Sequence, residues 1–136
     1  ALTNQIRSLW AMISGLSGVS SATSLQINGD SSSVYGLLAS TLDRLLFGSK
    51  PYWGDSAAGD LRLTWVDADA PDLFRHAPNL LRGKAHMAGV SGYHSTTADS
   101  VELGFQGPYI LDGEIFHCDG RSLTIGRSEP IRWLIL

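Results

Sequence analysis

Apolar and polar positions along the chain change period several times, and each change predicts an element. Near the start, Ile6, Leu9, Trp10, Ile13 and Leu16 fall three or four apart, the stripe of a short amphipathic helix that Thr3 or Asn4 can cap. Gly15, Gly18 and the serine run to Ser24 end it and predict a loop. From Ser24 to Asp30 polar and apolar residues alternate and close on Asn28-Gly29, a strand running into a tight turn, with Val34–Thr41 as the partner strand. Leu42–Gly48 leads into Pro51-Tyr52-Trp53-Gly54, an aromatic loop of the kind that covers a core edge. Leu61–Val66 is the clearest strand, with Leu61, Leu63 and Trp65 on one face.

Pro71 and Asp72 then open a helical pattern through Leu73, Phe74, Ala77, Leu80 and Leu81. Because proline lacks a backbone donor and clashes with the preceding turn, Pro78 predicts a kink or two short pieces, ending at Gly83. Beyond it no helical period remains. Val101–Phe105, Tyr109–Leu111, Glu114–His117, Leu123–Arg127 and Ile131–Leu136 read as short strands. They are divided by turns at Gln106-Gly107-Pro108, Asp112-Gly113, Asp119-Gly120-Arg121 and Ser128-Glu129-Pro130. The expected fold is mainly β, an antiparallel β-sandwich-like domain with one or two short helices, spanning residues 1–136 as one unit.

Composition narrows what such a domain does. At 136 residues the chain can bury a core but cannot hold separate nucleotide and substrate lobes. Ten Lys and Arg against thirteen Asp and Glu, with no basic run, argue against a nucleic-acid partner. One cysteine, Cys118, permits no disulfide within the chain and fits a cytoplasmic setting. No apolar stretch approaches the roughly 18–20 residues of a membrane span, and the first residues lack the features of a signal peptide. Charged residues make up 17% against roughly 25% in an average soluble domain, which predicts that part of the surface is covered in the working protein.

Among chemistry-bearing residues, Asp112 and Glu114 stand out. If a strand continues through Gly113, they lie two apart on one face, and paired carboxylates split the work of accepting a proton and orienting a hydroxyl or cation. The competing reading is a solvated hairpin turn, since Asp-Gly is a common turn dipeptide. His117-Cys118-Asp119 collects triad letters, but neighbours on a strand face opposite ways, so a structural role is expected. His86 and His94 lack metal-ligand spacing and read as partly buried histidines, while His76 falls on the polar side of the helix. Neither Gly15-Leu16-Ser17-Gly18 nor Gly89-Val90-Ser91-Gly92 has the spacing of a phosphate loop.

Taken together, Leu42–Gly48 with Pro51–Gly54, then Leu61–Thr64, and above all Leu111-Asp112-Gly113-Glu114 resemble the C-terminal part of the bacterial diacylglycerol kinase and sphingosine kinase-like lipid kinases. The likeness runs from about Leu25 to Leu136. It implies a β-sandwich substrate lobe of a longer two-domain protein that phosphorylates a lipid hydroxyl with ATP and magnesium. In that family the ATP site lies on an N-terminal lobe with a glycine-glycine-aspartate-glycine-threonine loop, which this sequence lacks. The resemblance therefore implies a chain that is inactive alone and carries no cofactor of its own. Asp112 becomes the expected general base on the lipid hydroxyl, and Glu114 its neighbour in the magnesium and phosphate network. Expected partners are the nucleotide-binding lobe and the lipid substrate, with peripheral contact at the inner membrane face. The alternative is a self-standing β-sandwich module that binds lipid or protein, with a homodimer through the apolar edge at Ile131–Leu136.

Overall fold

The computed structural model describes residues 22–54 and 58–126. The expected N-terminal helix and the strand at Ile131–Leu136, with the dimer edge it carries, lie outside the described residues. The described chain is mainly β, with six antiparallel strands: β1 (Thr23–Ile27), β2 (Asp30–Ser40), β3 (Leu61–Asp67), β4 (Tyr93–Ala98), β5 (Ser100–Leu111) and β6 (Glu114–Gly126). They form one sheet in the order β4-β3-β2-β1-β5-β6. A single helix, α1 (Leu73–Leu81), and 3-10 turns at Leu46–Gly48 and Ala85–Gly89 complete the described elements.

The sheet is strongly curled, because only Asp99 separates β4 from β5 although three strands stand between them in the sheet. On a flat sheet four strand spacings amount to about 19 Å, whereas two Cα steps reach about 7.6 Å. The sheet therefore curls until the end of β4 reaches the start of β5 at that corner, and it remains open, with β4 and β6 as its edges. Leu25, Val34, Leu61, Leu63, Val101 and Leu103, drawn from β1, β2, β3 and β5, bury together inside the curl. They are the alternate positions of their strands, and period-two patterning delivers them all to one face.

The opposite face of β3 and β4 is covered by the 50–54 segment. The Thr64 hydroxyl donates to the Pro51 carbonyl at 2.6 Å, and the Ser95 hydroxyl accepts the backbone N–H groups of Trp53 and Gly54 at 3.1 and 3.2 Å. Tyr52 is buried there, as its place in an aromatic loop leads one to expect.

Helix α1 is continuous through Pro78, where the sequence predicts a kink or two short pieces, so the two-piece alternative is set aside. With nine residues it has few intrahelical bonds to lose, and the one Pro78 forfeits would have gone to Phe74, on the outer side. The helix ends as predicted. Gly83 takes φ +59°, its N–H donates to Leu80, and the Lys84 N–H donates to Asn79, the two bonds of a Schellman cap.

The last third departs most from expectation. Gln106-Gly107-Pro108 and Asp119-Gly120-Arg121 are not turns but lie within two long continuous strands. Gly104 pairs with Ser122 and Gln106 with Asp119, so Gly120 and Arg121 together oppose Phe105. That is a bulge, with Gly120 at φ +91°, where glycine and polar residues serve to bend a strand rather than reverse it.

Candidate functional site

β5 and β6 make the longest hairpin of the fold, and the bulge divides it in two. Its inner half belongs to the sheet, where β1 pairs with Leu103 and Gly104 and the side chains of Val101 and Leu103 are buried. From Gln106 and Asp119 outward, β5 and β6 pair with each other and β1 pairs no further. Pro108 tolerates this position because no strand on its other side asks for its missing donor.

The outer half is an apolar ribbon tipped with acid. Cross-strand partners share a face, which puts Tyr109 and Phe116 on one side and Ile110 and Ile115 on the other. Tyr109 stacks on Phe116 with centroids 5.6 Å apart and meets the edge of Phe105 at 5.9 Å. Phe105 in turn packs against the core, so a ladder of rings runs from the core towards the tip. Ile110, Leu111, Ile115 and Phe116 nevertheless remain between 39% and 58% exposed. A two-stranded ribbon is marginally stable in water by itself, and one with apolar groups on both faces is shaped to be covered.

Asp112 and Gly113 form the two-residue turn at the end of this ribbon, at φ +51° and +85°, and Leu111 pairs with Glu114 across it. Positive φ at both central residues is the primed turn that matches the twist of the strands. The strand thus does not continue through Gly113, and the alternation argument for a same-face carboxylate pair fails. The turn brings the two groups together by another route: Glu114 stands on the face of Tyr109 and Phe116, and Asp112 sits beside it at the apex within about 7.6 Å, Cα to Cα. Both are exposed, and neither has an ion pair or hydrogen bond among the described residues.

The other candidates are structural. Cys118 Sγ lies 3.2 Å from the Arg121 carbonyl and the Arg121 N–H reaches Asp119 at 3.4 Å, so these residues close the bulge and form no triad. His94 hydrogen-bonds Asp67 at 2.7 Å and stacks on Trp65 at 4.9 Å, a clamp between β3 and β4 that sequence spacing did not disclose. His76 faces inward rather than to the polar side: its ring meets the edge of Tyr93 at 5.3 Å, and its Nδ1 is buried without a partner. His86 is exposed, not partly buried. Among the described residues no group of three or more His, Cys, Asp or Glu side chains could cage a metal, and no helix is long and apolar enough to cross a membrane.

Comparison with known proteins finds no family model, no curated protein and no solved structure that matches the chain.

Proposed function

We propose that this chain is the substrate-side lobe of a lipid kinase and that the β5–β6 tip enters an active site completed by a nucleotide-binding lobe. The observation that carries the reading is the tip itself: two carboxylates with no ion pair or hydrogen bond among the described residues, held at the apex of a ribbon whose apolar flanks are exposed. The Leu111-Asp112-Gly113-Glu114 resemblance supports the same reading. In that assembly Asp112 accepts the proton of the lipid hydroxyl as it attacks the terminal phosphoryl group of ATP. Glu114 is the carboxylate this chain contributes towards magnesium, whose charge neutralises the transferring phosphoryl group. The phosphate-binding backbone and the remaining magnesium ligands come from the other lobe, since two carboxylates are too few to hold the ion. Apolar flanks and low charge suit a surface buried between lobes.

The test is phosphoryl transfer from ATP to diacylglycerol in mixed micelles, using the protein in which this chain is joined to its nucleotide-binding lobe. Asp112→Asn is expected to lower kcat by about a hundredfold or more, the scale of a lost general base, with an unchanged thermal midpoint. Unchanged turnover defeats the assignment of Asp112. A reading frame upstream of Ala1 without any glycine-rich nucleotide motif defeats the kinase reading as a whole and leaves the binding module.

A further inference from the structure

The two faces of the outer β5–β6 ribbon differ in what lies at their inner end. Leu103 is in the core and Phe105 packs against it, and the same side of β5 continues, two residues at a time, to Tyr109 and Leu111. Phe116 and Cys118, which pair with Tyr109 and Gly107, bring β6 to that side. This is the inner face of the curl. It leaves the core as a file of rings, Phe105 to Tyr109 to Phe116, yet Leu111 is 57% and Phe116 40% exposed, so the described elements leave its outer part open.

Where β1 begins decides what can reach this face. β1 runs antiparallel to β5 with Gln26 opposite Gly104, so the four residues back to Ala22 run outward along β5 for about 13 Å. The chain therefore enters β1 at the base of the ribbon, and residues 1–21, outside the described residues, lead into that point. Their sequence suits the face. Ile6, Leu9, Trp10, Ile13 and Leu16 make an amphipathic stripe, and Arg7 is the only ionisable side chain. A helix over residues 6–16 is about 15 Å long and about 10 Å wide, against a ribbon about 17 Å long from Gln106 to Leu111 with strands about 4.8 Å apart. Residues 17–21, all serine, glycine and valine, reach up to about 17 Å, enough to turn the stripe back onto the ribbon. The other end of the described chain is worse placed. Gly126 pairs with Ser100, about 26 Å along β6 from Cys118, so residues 127–136 would spend most of their reach of about 33 Å getting there.

We infer that residues 1–21 of this chain dock on the inner face of the ribbon, laying Leu9, Trp10 and Ile13 over Tyr109, Leu111 and Phe116 and extending the core towards the tip. Chain direction sets the polarity. Leu16 lies towards the base and Ile6 towards the tip, which brings the cation of Arg7 to the end marked by Asp112 and Glu114. The tether favours this occupant over a second copy, since an attached segment is held at an effective concentration on the order of millimolar. Ile110, Ile115 and the Asp112 turn stay uncovered. The inference stands without the kinase reading: its tests need neither ATP nor turnover, so the two fail separately.

Cys118, half-buried at the base of that face, is the native reporter. Its reaction with dithiobis(nitrobenzoate) is timed in the full chain over a range of protein concentrations. Leu9→Ser with Ile13→Ser should speed the reaction by at least about tenfold by releasing the cover. Ala11→Ser, on the opposite side of the stripe, should react like the parent, at a rate independent of protein concentration. A second pair of variants keeps the test clear of any loss of folding in the double serine variant. Under mild oxidation Ile13→Cys should form an intramolecular disulfide with Cys118 at least about tenfold faster than Ala11→Cys, read as a monomer of altered mobility on a non-reducing gel. Equal Cys118 reactivity in the parent and the double serine variant, protection that grows with protein concentration as a second copy would give, or equal crosslinking by Ile13→Cys and Ala11→Cys would overturn the inference.

Discussion

Two turns of the sheet have nearly the same local chemistry and opposite surroundings. Asn28-Gly29 joins β1 to β2, and Asp112-Gly113 joins β5 to β6, each with positive φ at both residues. At the first, the Asn28 N–H donates to the Glu102 carbonyl at 2.8 Å, and its side-chain oxygen accepts the Glu102 N–H at 3.0 Å. The turn is sewn to β5. At the second, no such stitch exists among the described residues, and no neighbouring strand lies beside the turn as β5 lies beside the first. Identical turn propensity therefore serves two ends: one turn closes the structure, and the other holds its carboxylates out of it.

The contrast can be broken most forcefully through the residues beside each turn. Leu103, next to the Asn28 turn, is buried, and Leu103→Ala should cost about 2–5 kcal/mol in urea denaturation, while Ile115→Ala beside the Asp112 turn should stay within about 0.5 kcal/mol. Comparable losses would mean that the outer ribbon is packed in solution.

A smaller difference is expected at the turns themselves. Alanine at either position forfeits the tolerance of Asn and Asp for the left-handed region, about 1 kcal/mol, but only Asn28→Ala also loses a cross-strand hydrogen bond, about 1 kcal/mol more. Equal midpoint shifts for Asn28→Ala and Asp112→Ala would erase the distinction.

The smallest effect sharpens the packed side of the comparison through pH. Burial pushes the Tyr52 phenol above its ordinary value of 10.0, against the opposing influence of Ser40 and Arg62, and burial with the nearby Asp72 does the same to Tyr93. The folded protein then keeps protons that the unfolded chain releases. Their contribution to stability is whole below pH 10.0 and is lost as pH rises through the raised folded values. The Tyr52 hydroxyl is buried with only the Ser40 side chain as a nearby partner, so Tyr52→Phe should change stability by less than about 1 kcal/mol at neutral pH. The variant should also lose stability less steeply above pH 10.0. An unaltered alkaline limb would show that Tyr52 titrates as if exposed.

Much of this architecture was legible in the sequence, for local reasons. Alternation at Leu61, Leu63 and Trp65 marked a strand because successive side chains must face opposite ways. Asn28-Gly29 marked a hairpin because few residue pairs accept two positive φ angles. Gly83 marked the helix end for the same backbone reason. The misreadings share a cause as well. Gly107, Pro108 and Gly120 have turn-like composition, yet a glycine reverses a chain or merely bulges it according to what the neighbouring strand pairs with, and that neighbour is remote in sequence. Pro78 left open two helical pieces because the sequence does not tell whether the bond it removes would have been missed. His76 and His94 were judged by spacing along the chain, whereas their surroundings come from β3 and β4.

The sequence alone determined β1, β2 and β3, the Asn28-Gly29 turn and the buried alternate positions of β3, since backbone sterics and side-chain period act over a few residues, but not β4 or the length of β5 and β6. Only the tertiary structure decided which turn is stitched to a neighbouring strand and which has no such stitch among the described residues, and that the 50–54 segment packs against the end of α1. Those outcomes depend on the one-residue corner at Asp99, on the reach of β1 along β5, and on the backbone contact between Lys50 and the end of α1. Each is set by how strands remote in sequence pair and curl into one sheet, a condition that no single segment contains.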